Sequence, residues 1–106
     1  MGDGTLERLA SWEREEFAAL PTRLLPMPRM AASLGASDLW VKMDAETGFA
    51  LGGNKVRKLE FELAPSRLDG VTHLLTAGGP QSNHCRVTAA AAARLGLGCT
   101  LVLSGP

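Results

Sequence analysis

Apolar positions along the chain fall into short runs and spaced stripes. Leu39-Trp40-Val41-Lys42-Met43, Val71 to Ala77 and Cys99 to Leu103 are short runs rich in strand formers. They predict three strands. Between them Val56, Leu59 and Leu63 recur at helical spacing, as do Val87, Ala91 and Leu95. These stripes predict two helices, each with one buried face. The first opens at Asn54 or Lys55; Pro65 ends or kinks it, and Asp69-Gly70 makes the following turn. The second opens at a cap supplied by Ser82 or Asn83 and stops at Gly96. Strand, helix, strand, helix, strand at these lengths predicts an α/β fold with a parallel sheet.

The residues before this alternation behave differently. Leu6 to Phe17 predicts a short, charged surface helix. Pro21, Pro26 and Pro28 forbid a continuous helix and predict an extended, draped segment. Arg29 to Leu34 predicts a short helix ended by Gly35. Trp40 is expected in the core, and His73, at the start of a strand, is expected to be structural. The chain closes on Leu101-Val102-Leu103-Ser104-Gly105-Pro106, a buried strand entering a loop. This predicts the N-terminal part of a longer polypeptide.

Composition narrows the function classes. An apolar fraction of 45% supports a core, and 11 basic residues balance 11 acidic ones. No general electrostatic pull on nucleic acid or an anionic membrane follows. No apolar run is long enough to span a bilayer, and no basic, then apolar, leader opens the chain. Cys85 and Cys99 form neither a disulfide framework nor a CxxC pair, and with two histidines they complete no zinc pattern. Two thiols in a reducing cytosol, a cytoplasmic protein and a small-molecule substrate are the expectations.

Two loops carry the candidate chemistry, and each feeds a helix N-terminus. The first is Gly52-Gly53-Asn54-Lys55. Taken alone it also fits a helix capped by Asn54 with a solvated Lys55. A lysine in the first helical turn, however, sits at the positive end of the macrodipole, which disfavours the ammonium. Imine formation needs the neutral amine. The second loop is Gly78-Gly79-Pro80-Gln81-Ser82-Asn83-His84. It fits a capped turn, and equally a polar cradle at the carboxyl end of a strand, where open parallel sheets bind ligands. Arg57 and Lys58 are expected on a solvated helix face.

Together the two loops are far more specific. Gly48 to Phe61 (Gly-Phe-Ala-Leu-Gly-Gly-Asn-Lys-Val-Arg-Lys-Leu-Glu-Phe) and Gly79 to Arg86 (Gly-Pro-Gln-Ser-Asn-His-Cys-Arg) resemble the D-cysteine desulfhydrase and 1-aminocyclopropane-1-carboxylate (ACC) deaminase family. That family belongs to the fold type II pyridoxal 5′-phosphate (PLP) enzymes, the tryptophan synthase β-like group. The resemblance runs from about Leu20 to the end of the chain. It implies a three-layer α/β fold with a parallel sheet, incomplete here. Residues 1–37 would form an N-terminal segment of the large domain. Residues 38–106 would begin the PLP-binding region, including the start of the small domain.

The resemblance also implies roles. Lys55 would carry PLP as a Schiff base and act in catalysis. Asn83 would hydrogen-bond the pyridoxal 3′-oxygen, and Asn54 would shape the cofactor site. Ser82 would act at the substrate carboxylate or in proton transfer, with Gln81 and His84 also meeting substrate. The phosphate-binding loop and the pyridine-nitrogen partner would lie beyond residue 106. The implied activity is a PLP-dependent lyase on a small amino acid, with a homodimer as the assembly. D-cysteine desulfhydrase comes first, because His84 follows Gln-Ser-Asn. ACC deaminase and a non-catalytic α/β module remain alternatives.

Overall fold

The computed structural model describes residues 4–106. Among them α1 spans Thr5–Ala10, β1 Leu24–Pro26, α2 Pro28–Ser33, β2 Trp40–Lys42, α3 Lys55–Glu62, β3 His73–Gly78, α4 Asn83–Leu95 and β4 Gly98–Leu103. Short 3-10 turns cover Asp44–Glu46, Phe49–Leu51 and Pro65–Arg67.

The second half follows the sequence pattern closely. Strands β3 and β4 run parallel, with His73 opposite Gly98 and Gly78 opposite Leu103. Helix α4 is the crossover between them. Ser82 is its N-cap, the side-chain oxygen accepting from the Cys85 N–H at 3.1 Å. Gly96 ends it in the left-handed conformation (φ 71°), which a residue without Cβ takes most readily. Val87 and Ala91 on α4 cluster with Val56 and Leu59 of α3 and with Leu63 just after it, and Phe17 completes the buried cluster. The opposite face of the sheet is open, and Leu75 is 71% exposed there.

Expectations are corrected at three places. The strand at Trp40–Lys42 does not join β3 and β4. It pairs antiparallel with β1, Leu25 opposite Val41. A strand inside a parallel sheet is covered on both faces and apolar throughout. Here Lys42 is exposed, reaching the Thr22 carbonyl at 2.6 Å, and Trp40 is half exposed rather than core. The proline-rich segment is extended as predicted, but it contributes the ladder partner.

The N-terminal helix is also shorter than Leu6 to Phe17; α1 stops at Ala10. Phe17 leaves the helix to enter the core, where its ring stacks on Phe49 at 4.9 Å. The cause is Glu60. Its carboxylate, 2% exposed, accepts the Phe17 and Ala18 N–H groups at 2.8 and 2.9 Å, with Arg14 at 3.9 Å. A carboxylate inside a fold needs such donors. Glu60→Gln keeps one oxygen but removes the charge, and is expected to cost about 1–2 kcal/mol. A lower urea midpoint with an unchanged slope would register it; an unchanged midpoint would show that the strap does not depend on the charge.

Thirdly, Arg57 is not on a solvated face. Its Nε and Nη2 donate to Asp44 Oδ1 at 3.0 and 2.8 Å, and Nη2 also reaches Thr22 Oγ1 at 3.1 Å. The radius of gyration, 17.1 Å, exceeds the ~13 Å of a compact domain of about this length. The small core and the open sheet face account for it.

Candidate active site

Both loops identified in the sequence converge at one place. Lys55 is the first residue of α3 and Asn83 the first of α4. Asn83 approaches the first loop at Gly53 (φ 112°), two residues before Lys55. A Cβ on Gly53 would sit 2.6 Å from Asn83 Nδ2. The Asn83 amide therefore lies against the backbone leading into Lys55, and only a residue without a side chain permits the approach. Gly52, at φ 80° and ψ −168°, is another such position, with the Ala45 carbonyl where a Cβ would stand.

The lysine loop is held from several sides. Asp44 accepts the Gly53 N–H through its backbone oxygen at 3.2 Å, and Thr47, fully buried, donates its hydroxyl to the Gly53 carbonyl at 2.8 Å. Hydrogen bonding and charge from Arg57 hold the Asp44 carboxyl below its usual range, burial opposing. The ion pair therefore persists at neutral pH. Phe49 stacks on Phe17, and the Arg94 guanidinium lies over both rings at 5.8 and 5.5 Å. Asp44, Thr47 and Arg94 are absent from a motif reading because their partners are set by the fold.

Lys55 is partly buried, and its amine has no hydrogen-bond or ion-pair partner among the described residues. Asn83 Oδ1 is buried without a partner. An unpaired buried amide oxygen is costly and marks a place for a polar ligand group. Asn54 occupies the N-cap position, but its backbone is helical and its exposed side chain makes no cap bond. The expected capping role is corrected on that ground. Gln81 is exposed on the second loop, and Gly79 approaches its amide closely. Ser82 spends its oxygen lone pair on the helix cap, which leaves its O–H free to donate.

His84 turns from the loop towards the sheet. Its Nε2 pairs with Thr76 Oγ1 at 2.7 Å, while Nδ1 is buried and unpartnered. It lines a small hollow with Leu59, Glu62, Thr76 and Thr88. Burial first, then Lys58 and Lys55, push its pKa below 6.5, with Glu62 opposing. Because the folded value is the lower one, the unfolded chain takes up the proton first. Stability is therefore expected to be full above about pH 6.5 and to decline as pH falls through the folded pKa. In His84→Gln this part of the pH dependence should vanish when unfolding midpoints at pH 7.5 and 5 are compared. An identical slope in the variant would remove His84 as the cause.

Two loops at helix N-termini and a partnerless lysine suit an anionic, carbonyl-bearing cofactor, while the buried Asn83 Oδ1 calls for a donor. Residues 16–105 match the family model described as pyridoxal-phosphate dependent enzyme, and the chain belongs to that family. It is 46% identical over 101 residues to a D-cysteine desulfhydrase of Salmonella typhimurium, covering 95% of this chain and 30% of that protein. A D-cysteine desulfhydrase of Klebsiella pneumoniae is 45% identical over 102 residues, covering 96% of this chain and 31% of its own length. A crystal structure of an ACC deaminase homologue superposes with a TM-score of 0.86 at 38% identity, over all of this chain and 32% of that one. The chain thus spans about a third of the length of the relatives it matches. The fold is that α/β fold, and the cofactor of the family is pyridoxal phosphate. The residues present fit it: a lysine amine without a partner among the described residues, and on the neighbouring loop an Asn83 side chain whose Nδ2 can donate to a phenolic oxygen.

Proposed function

We propose that this chain is the lysine-bearing part of a PLP-dependent lyase that converts D-cysteine and water into pyruvate, sulfide and ammonia. The observation that carries the reading is the Asn83 amide lying against Gly53, two residues before Lys55. The identity to two D-cysteine desulfhydrases supports the substrate. When bound, PLP supplies an electron sink for charge at the substrate α-carbon.

The chain's own residues divide the remaining work. The Lys55 amine anchors the cofactor and, once released, moves a proton at the substrate α-carbon. Asn83 hydrogen-bonds the cofactor's phenolic oxygen, and Asn54 shapes that pocket. The Ser82 hydroxyl and the Gln81 amide receive the substrate carboxylate, beside a helix N-terminus whose dipole favours an anion. Ser82 is also the candidate for a second proton transfer. His84, which follows Asn83 on the same loop, would contribute to substrate binding only by leaving its pairing with Thr76. Residues 38–106 form the start of the cofactor-binding region, residues 1–37 an N-terminal segment of the large domain, and the active assembly is a cytoplasmic homodimer.

Borohydride reduction of the PLP-loaded polypeptide, followed by peptide mapping, tests the central assignment. A pyridoxyl adduct on Lys55 is expected; an adduct on another lysine, or none, refutes it. A second reading, ACC deaminase, is favoured by the superposition on an ACC deaminase homologue. Sulfide and pyruvate from D-cysteine support the first reading, and 2-oxobutanoate from ACC the second.

A further inference from the structure

The segment leading into Lys55 is built against its backbone preferences. Ala50 sits at φ 50°, ψ 50°, and Leu51 at φ 71°. Two consecutive residues with Cβ atoms thus occupy the left-handed region, which such residues avoid. Apolar burial does not offset the strain, because Leu51 is 88% exposed. Strain of this kind persists only where the surroundings over-determine it.

Arg86 is what over-determines it. Its Nε donates to the Ala50 carbonyl at 2.8 Å and its Nη2 to the Gly52 carbonyl at 3.1 Å. The two acceptors flank Leu51, so one guanidinium fork pins both ends of the strained peptide pair. Other ties to this loop come from Asp44, Thr47 and Phe49 on its own side of the site, and from Arg94 of α4 over the Phe49 ring, which touches no backbone of Ala50 to Gly52. Arg86 reaches across from α4, one turn beyond Ser82 and Asn83. It therefore links the helix that presents Asn83 to the loop that presents Lys55. A lysine could satisfy one of these carbonyls but not both, because only the planar fork places two donors at a fixed spacing.

We propose that Arg86 is a positioning residue for the PLP reaction, holding the left-handed Ala50–Leu51 turn so that Gly53 stays seated against Asn83 and fixes the start of α3 at Lys55. This rests on Lys55 being the cofactor lysine. Without the fork, Ala50 and Leu51 relax towards ordinary backbone angles. Gly53 then withdraws from the Asn83 amide, and the two halves of the site lose their spacing. Rate and cofactor affinity suffer together, although Arg86 touches neither cofactor nor substrate.

The test uses the complete polypeptide carrying these residues. It reads the PLP dissociation constant by equilibrium dialysis, kcat and KM for D-cysteine, and the melting temperature of the cofactor-free protein. Arg86→Met is expected to weaken PLP binding by roughly 10- to 100-fold, the worth of one or two charge-assisted hydrogen bonds. It should lower kcat more than it raises KM. Arg86→Lys should fall between Arg86→Met and wild type. Adding Leu51→Gly to Arg86→Met should restore part of the lost affinity, because glycine adopts the left-handed turn without help. An unchanged dissociation constant in Arg86→Met overturns the proposal. So does a loss that Leu51→Gly fails to relieve, or one that merely follows the melting temperature through the series. Should Arg86→Met not fold, Arg86→Lys with and without Leu51→Gly gives the same comparison, and affinity equal to wild type overturns the proposal there. Borohydride labelling of the wild type separates the two claims. No adduct on Lys55 overturns both; an adduct on Lys55 with unaffected Arg86 variants overturns this one alone.

Discussion

On the role proposed for it, Lys55→Ala is expected to reduce turnover of D-cysteine by the complete polypeptide by roughly 10³-fold or more, since the substitution would remove both the covalent anchor and a proton-transfer group. The side chain has no hydrogen-bond or ion-pair partner among the described residues, so little holds it in place structurally. Alanine is also a better helix former than lysine. The unfolding midpoint of the cofactor-free variant should therefore stay within about 0.5 kcal/mol of wild type. Lys55→Arg should be equally inactive, because a guanidinium stays charged and forms no imine at neutral pH. Paired measurements of kcat and of urea unfolding check both halves. Substantial turnover by either variant would mean that another lysine carries the cofactor. A large loss of stability would mean that Lys55 is a structural residue after all.

The second large effect belongs to Gly53. In Gly53→Ala the new methyl would stand 2.6 Å from Asn83 Nδ2, at a φ of 112° that alanine disfavours. The backbone strain alone costs about 1–3 kcal/mol. The Asn83 amide must also move, and with it the buried oxygen awaiting a partner. Cofactor affinity should drop by roughly 100-fold, the equivalent of about 3 kcal/mol. Gly70→Ala supplies the control. Gly70 has φ 73° but nothing within 4 Å of its would-be Cβ, so it should lose stability while binding PLP normally. Equal PLP affinity in Gly53→Ala and Gly70→Ala would show that the contact between the two loops has no part in holding the cofactor.

These two residues also show how far the site was legible in the sequence. Lys55 was readable because a motif of neighbouring residues surrounds it, and its place at the head of α3 follows from the Val56, Leu59, Leu63 stripe. The same holds for Ser82 and Asn83 at the head of α4. The supports of the site were not readable in this way. Arg86 was part of a matching motif but had no assigned partner, since its acceptors lie 34 and 36 residues earlier. Arg57 looked like one more solvated charge until Asp44, 13 residues away, came into reach. Asn54 failed in the other direction. Its residue type favours capping, but the loop leaves its backbone helical and its side chain in solvent.

Helix and strand positions in residues 54–103 were thus a matter of local pattern: apolar spacing, a serine cap, a glycine stop. Local pattern also marked Lys55, because the glycines and the helix start that qualify it are its immediate neighbours. Pairing was a different matter. A three-residue strand such as Trp40–Lys42 carries too little side-chain information to choose its partner, and β1 rather than β3 took it. Phe17 left its expected helix because a carboxylate 43 residues away required its N–H. The loop before Lys55 and the Asn83 side chain met at Gly53 only when α3 and α4 packed through Val56, Leu59, Val87 and Ala91. The meeting depends on buried area and on hydrogen bonds between distant segments, and these exist only once the chain has closed on itself.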